Sequence, residues 1–155
     1  MNSNNAVIQR VDLALVRMRR LMESSSVRRK FYARLGAPVD HSTTQVLRAI
    51  ITKGADDPAS VGDVAAHLMV DASTASRLVD QVVRAGYVER TSCDDDRRRT
   101  RLLITAEGHE LLDNAAAVRS EMISEWVADW PADDLHQLAE LLERYIDSIV
   151  AVERP

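Results

Sequence analysis

The sequence predicts a mainly α fold carrying one small β-hairpin. Three observations lead there. Gly and Pro number only 5 and 4 in 155 residues, so few points interrupt helices. Apolar residues recur at spacings of three and four along most of the chain, the mark of amphipathic helices. Residues 87–104 break that spacing with two β-rich runs around a polar, charged tip, which reads as a hairpin.

Taken in order, residues 6–35 read as one long helix, with Val7, Val11, Leu15, Met18 and Met22 on a stripe. Gly36 stops it and Pro38 follows. Residues 1–5 are polar and read as a disordered tail. Asp40 is placed to cap a second helix whose apolar residues are Val46, Leu47, Ile50 and Ile51. Residues 54–58 form a loop. Ser60-Val61-Gly62-Asp63 opens a short helix with a capping box, and Val61, Val64, Ala65 and Leu68 face inward. Asp71 caps the next helix, which turns Ala75, Leu78, Val79 and Val82 inward and ends at Gly86. Two helices joined by Met69, Val70 and Asp71 match a helix-turn-helix. Strands follow at residues 87–91 and 100–104. Thr105-Ala106-Glu107-Gly108 opens a long helix with the stripe Leu111, Ala115, Val118, Met122 and Trp126. Pro131 separates it from a last helix with the stripe Leu135, Leu138, Leu142, Tyr145 and Ile149.

Composition excludes several classes. With 46% apolar and 28% charged residues the chain can build a core and does not read as disordered. It has no apolar run of spanning length and no apolar region behind the polar N-terminus, so neither a membrane helix nor a secretory signal is expected. The single cysteine, Cys93, excludes an internal disulfide. The expected location is the cytoplasm. Net charge is −4, but it is unevenly spread: +6 over residues 1–36, −1 over 37–104 and −9 over 105–155. The acid thus gathers at the C-terminal end, where it need not face a phosphate backbone. Four of the five residues 97–101 are Arg.

On the helix over 72–85, Ser73, Thr74, Arg77, Gln81 and Arg84 share the outer face, with Ser76 at its margin. Small residues let a helix approach base edges, hydroxyls bond bases or phosphates, and Arg can bond guanine twice. Such a face also suits a merely solvated helix. The hairpin tip decides between them. Asp94-Asp95-Asp96-Arg97-Arg98-Arg99 could be a solvated charged loop, or a wing whose Arg side chains enter the minor groove while Asp orients them. A helix-turn-helix followed directly by a basic-tipped hairpin is far more specific than either part. Together they predict insertion of the 73–84 helix into the DNA major groove, with the wing beside it.

These stretches resemble the MarR family of bacterial regulators. The likeness runs through Ser60-Val61-Gly62-Asp63-Val64-Ala65-Ala66-His67-Leu68 and from Asp71 to Arg90, and the family's wing signature of Asp and two basic residues matches Asp96-Arg97-Arg98. Ile104-Thr105-Ala106-Glu107-Gly108 matches the opening of the family's next helix. The resemblance implies a winged helix-turn-helix domain over 37–104 and a helical dimerisation base from 6–36 and 105–152. It implies a homodimer, more often a repressor than an activator, on a palindromic double-stranded operator. Ser73, Thr74, Ser76 and Arg77 are then the major-groove contacts, with Gln81 beside them on the same face. Asp96 and Arg98 make the wing contact, flanked by Arg97 and Arg99. Asp94-Asp95 departs from the family, which has Pro at the second position to stiffen the turn. Independently, the flanking apolar helices lack a visible partner within a 37–104 domain, and a twofold interface would bury them. It would also set two recognition helices about one DNA turn (~34 Å) apart.

The family is controlled by small phenolic ligands, metals or oxidants, and three features of this chain bear on the choice. Cys93 sits on the wing, not in the first helix where the family's oxidant sensors carry theirs, and Asp94 beside it opposes thiolate formation. His109 and Asp113, four apart, could join Glu23 and His41 around a metal, although the family's zinc-sensing branch has His where Asp113 stands. An organic ligand could lie near Met18, Met22, Phe31, Tyr32 and His41, residues that core packing would also explain; Trp126 and Trp130 are open to the same two readings. His109-Glu110-Leu111-Leu112-Asp113 lacks the second His of a zinc-protease motif. With no phosphate loop and no nucleophile context either, an enzyme is not expected and no cofactor is implied. The competing class is a winged-helix module for constitutive architectural or protein contact, without an inducer.

Overall fold

The computed structural model describes residues 3–53, 58–92 and 100–153. Its elements are α1 (Ser3–Met22), α2 (Ser25–Leu35), α3 (His41–Lys53), α4 (Val61–Leu68), α5 (Ala72–Arg84), β1 (Val88–Ser92), β2 (Thr100–Ile104), α6 (Ala106–Trp126) and α7 (Ala132–Glu153). The chain divides into two compact units, one through Val118 and one from Arg119. The mainly α fold with a single hairpin is the one expected from sequence.

In the first unit, the helix expected over 6–35 is two helices. Ser24 adopts an extended conformation and its Oγ accepts from the Val27 N–H at 3.3 Å, capping α2. The serine run 24–26 supplies a side chain that competes with continued helix for backbone bonds. At the other end α1 begins at Ser3, so residues 3–5, expected in a tail, are helical. Gly36, at φ 66, closes α2 by donating to Tyr32 O, the left-handed cap that glycine adopts without strain.

The winged part of this unit is built from short, well-capped pieces. Asp40 accepts from the Thr43 N–H at 2.9 Å and starts α3. Ser60 and Asp63 form the expected capping box at α4: Ser60 Oγ accepts from Asp63 N at 3.2 Å, and Asp63 Oδ2 accepts from Ser60 N at 2.9 Å. Asp71 starts α5. Between α4 and α5 the chain turns on Met69, which has φ 53 and is 91% exposed. Gly or Asn would be the ordinary choice there.

The core of this part collects Val46, Leu47 and Ile50 from α3, Val64 from α4, and Ala75, Val79 and Val82 from α5. Val88 of β1, Leu102 of β2, Leu111 of α6 and Ala59 complete it. Ile51, expected inward, is 51% exposed, and Ala49 is buried instead. The strands pair antiparallel, Val88 opposite Ile104 and Thr91 opposite Arg101. On the other edge of β2, Leu102 N donates to Ala59 O at 2.8 Å, which ties the hairpin to the segment before α4. Tyr87, expected in the strand, belongs to the turn, where its N–H bonds Val82 O.

Gly108 sets how closely α6 meets the hairpin. A Cβ there would lie 2.2 Å from Tyr87 O and 2.7 Å from Ile104 Cγ2. Thr105 fastens the same corner, its hydroxyl donating to Gly86 O at 2.7 Å and accepting from Gly108 N at 3.1 Å.

In the second unit α6 continues to Trp126 and α7 follows after Pro131. Met122 is buried, while Trp126 and Trp130 are about half exposed. The expected stripe of α7 is not buried within one chain: Leu135, Leu142, Tyr145 and Ile149 are all exposed.

Candidate nucleic-acid interface

Helix α5 places its two faces as its sequence requires. Ala75, Val79 and Val82 are buried and anchor it. Ser73, Arg77, Gln81 and Arg84 are exposed, and Thr74 and Ser76 are half-buried at the edge of that face. Of the residues expected to meet DNA, these side chains of α5 are therefore brought to one accessible surface.

Asp71 organises the first turn of that surface. Its Oδ1 accepts from the Thr74 N–H at 2.9 Å and from the Ser73 hydroxyl, and its Oδ2 accepts from the Thr74 hydroxyl at 2.6 Å. These bonds, from Ser73 first and Thr74 next, hold the Asp71 carboxyl well below the usual carboxylate range. One turn on, Arg77 Nη2 lies 3.4 Å from Thr74 Oγ1. Asp71, Thr74 and Arg77 thus form a chain that runs up the outer face.

A second polar tie joins α5 to the wing. Arg90 Nη2 of β1 meets Asp80 Oδ1 of α5 at 2.7 Å. Both side chains are partly exposed, so the pair adds little stability. It links the hairpin stem to the helix at one point. Sequence reasoning assigned no role to Asp71's carboxylate beyond capping, nor to Asp80 and Arg90. The signal for the first was present, hydroxyls two and three residues after an Asp. The second pair lies ten residues apart across a turn and leaves no periodic trace.

The wing tip, with Cys93, Asp94, Asp95, Asp96, Arg97, Arg98 and Arg99, lies outside the described residues. The stem presents Arg101 from β2, exposed.

The residues considered for an effector are partly assembled. Tyr32 stacks edge-on against Phe31, centroids 5.0 Å apart, and its hydroxyl lies 3.2 Å from His41 Nδ1 and 2.8 Å from Thr44 Oγ1. His41 Nε2 in turn lies 3.2 Å from Gln45 Nε2. Met18 and Met22 stand about half exposed on α1. The metal reading fares worse. Among the described residues no three His, Cys, Asp or Glu side chains could hold an ion together, so Glu23, His41, His109 and Asp113 do not form a site within one chain. Glu23 instead pairs with Arg19 at 3.0 Å. His109 and Asp113 are exposed on α6. No helix among the described residues is long and apolar enough to cross a membrane.

Known proteins share this fold. The profile of the MarR family matches residues 38–99. The HTH-type transcriptional regulator SarZ of Staphylococcus saprophyticus is 21% identical over 98 residues, which are 63% of this chain. The match spans 66%, just under two thirds, of that protein's length. Among solved structures, the transcriptional regulator Tm0710 of Thermotoga maritima superposes with TM-score 0.68 at 22% identity, over 94% of this chain and 96% of its own. A mutant of Staphylococcus aureus MepR bound to an oligodeoxyribonucleotide gives TM-score 0.59 at 15% identity, over 96% and 99%.

Proposed function

We propose that this chain is a MarR-family regulator rather than an enzyme, and a dimeric repressor that reads a palindromic operator; the family's profile matches residues 38–99 and the fold superposes on that of Tm0710. The observation that carries the reading is the outer face of α5, where Ser73, Thr74, Ser76, Arg77 and Gln81 stand together above an apolar inner face. They enter the major groove. Asp96, Arg97, Arg98 and Arg99 of the wing engage the neighbouring minor groove and phosphates. The structurally similar MepR mutant bound to an oligodeoxyribonucleotide supports a nucleic-acid role for this fold.

Two copies join through the helices outside the winged domain, residues 6–36 and 105–152, which expose apolar rows in the single chain. The signal that releases DNA is an organic effector, of phenolic or similar chemistry, engaging Phe31, Tyr32 and His41. Three aromatic rings in succession offer stacking surface, and the Tyr32 hydroxyl and the His41 ring offer polar contacts.

The test begins with selection of bound fragments from a genomic library by the purified chain. On the selected site, Arg98→Ala weakens binding to all sequences and lowers the salt slope by about one. Arg77→Ala costs about 1–3 kcal/mol and relaxes preference at particular bases. Unchanged affinity in both variants rules the function out. Phenolic compounds that release wild-type protein but not Tyr32→Phe support the effector site. DNA binding that no compound alters favours a constitutive module.

A further inference from the structure

We propose that Asp71 sets the polarity with which α5 reads bases: it takes the hydroxyl protons of Ser73 and Thr74, leaves both oxygens as acceptors, and so selects adenine or cytosine, which present an amino group in the major groove. This rests on the DNA-reading function proposed above and goes further, because it names the chemical class each side chain recognises.

The direction of the two bonds is fixed by chemistry. A hydroxyl carries one proton and two lone pairs, and an ionised carboxylate can only accept. Ser73 Oγ and Thr74 Oγ1 both lie within hydrogen-bond distance of Asp71, at Oδ1 and Oδ2 respectively. Each must therefore donate its single proton to Asp71. Contrast Tyr32 and Thr44, where either hydroxyl can be the donor.

Once the protons are committed, what Ser73 and Thr74 offer outward is lone pairs. A phosphate oxygen also offers only lone pairs, and the Asp71 charge repels it. The first-turn N–H of Thr74 is already taken by Asp71. The two hydroxyls and the Thr74 N–H thus offer a phosphate no proton. A base edge can satisfy the two hydroxyls: adenine N6 and cytosine N4 donate in the major groove, whereas guanine O6 and thymine O4 accept. Arg77, one turn later, has the opposite character, since its guanidinium only donates and suits guanine. The face therefore reads amino groups at its first turn and guanine at its second. Arg77 approaches the same Thr74 oxygen, which uses one lone pair and orients the remaining one.

The experiment uses the full chain and a randomised duplex pool. Ser73→Ala and Thr74→Val identify the base positions that each hydroxyl reads. At those positions adenine is then replaced by unsubstituted purine, or cytosine by 2-pyrimidinone, which deletes the amino group. Wild-type binding is expected to weaken about tenfold, and binding of the matching hydroxyl variant to stay the same. Asp71→Asn keeps a good N-cap, but its amide donates to one hydroxyl and frees that proton. The variant is expected to lose the amino preference at the position read by that hydroxyl, while keeping it at the other hydroxyl's position and keeping the positions that depend on Arg77. The proposal is overturned if deleting the amino group leaves wild-type affinity unchanged, if neither hydroxyl variant alters any position, or if Asp71→Asn keeps the full preference. A pool in which wild type enriches no sequence overturns the DNA-reading function itself.

Discussion

Three aspartates of the winged domain, Asp40, Asp63 and Asp71, each bond the first turn of a helix, and all three carboxyls are held below their ordinary range. Asp63 is the most enclosed by partners of different kinds. It accepts from the Ser60 hydroxyl at 2.7 Å and the Ser60 N–H at 2.9 Å, and Lys53 Nζ of α3 stands 3.2 Å from its other oxygen. The Ser60 bonds first, and Lys53 after them, lower its pKa from 3.8 to about 2. A carboxyl whose folded pKa is depressed contributes stability that is present above the unfolded value and lost as pH falls through the folded one. The window here runs from about pH 4 down to about pH 2. Asp63→Asn should therefore lower stability at pH 7 by about 1 kcal/mol, the size of a lost cap. Thermal melts between pH 7 and 2.5 should show the gap between variant and wild type closing below pH 4. A gap that stays constant over that range would show that charge at Asp63 contributes nothing.

At the scale of elements, the corner where α6 leaves β2 controls the fold more than its exposure suggests. Gly108 permits α6 to pass against Tyr87 O, and the obstructing atom is backbone, held by Thr105 N at 3.1 Å. It cannot swing aside as a side chain would. Gly108→Ala gains helix propensity of up to about 1 kcal/mol, but a 2.2 Å approach forces α6 away from the α5–β1 turn. Overpacking costs about 1–3 kcal/mol and here exceeds the gain. The variant should melt below wild type in denaturant titration; equal or higher stability would mean that α6 moves freely at its start. From the sequence alone, this glycine is legible only as part of a helix opening. Local chemistry was legible where a residue acts on its own neighbours: Asp40, Ser60, Asp71 and Gly86 mark the element boundaries observed. It was illegible where the cause lies elsewhere in space. The Gly108 contact, the Asp80–Arg90 pair and the burial of Ala49 in place of Ile51 depend on how elements meet. The break at Ser24 was readable from the serine run, where the apolar stripe ends at Met22. Met69 turned left-handed against residue preference because the α4–α5 turn imposes it. Of the expected DNA contacts, the α5 set was legible as one face, while the wing set falls outside the described residues.

At the scale of the molecule, the unresolved demand is for apolar cover. On α1, Ile8, Leu13 and Leu21 are each 58–59% exposed, and Val7, Val11, Val16, Met18 and Met22 are little less so. On α7, Leu141, Tyr145, Ile146, Ile149 and Val150 are exposed to a similar degree. Single exposed apolar residues are ordinary, but continuous rows along a helix mark an interface. The winged part buries its own Leu47, Leu102, Val64 and Val79 completely, so the excess is not a general looseness of packing. Two copies pairing through these helices would supply the cover, and folding would then depend on assembly. Light scattering should give twice the 17.3 kDa chain mass, and the melting temperature should rise with protein concentration. Ile146→Asp separates the alternatives. On the surface of a monomer, a residue 56% exposed tolerates Asp within about 0.5 kcal/mol. In a twofold interface it places a charge in an apolar contact that lacks a partner for it, at several kcal/mol. The variant should dissociate, melt earlier and lose operator binding, because a palindrome read by one recognition helix at a time gives up the second half-site. A monomeric wild type with a concentration-independent melt, and an Ile146→Asp variant that binds DNA as well as it does, would remove the dimer from the proposed function and leave α5 to read a single half-site.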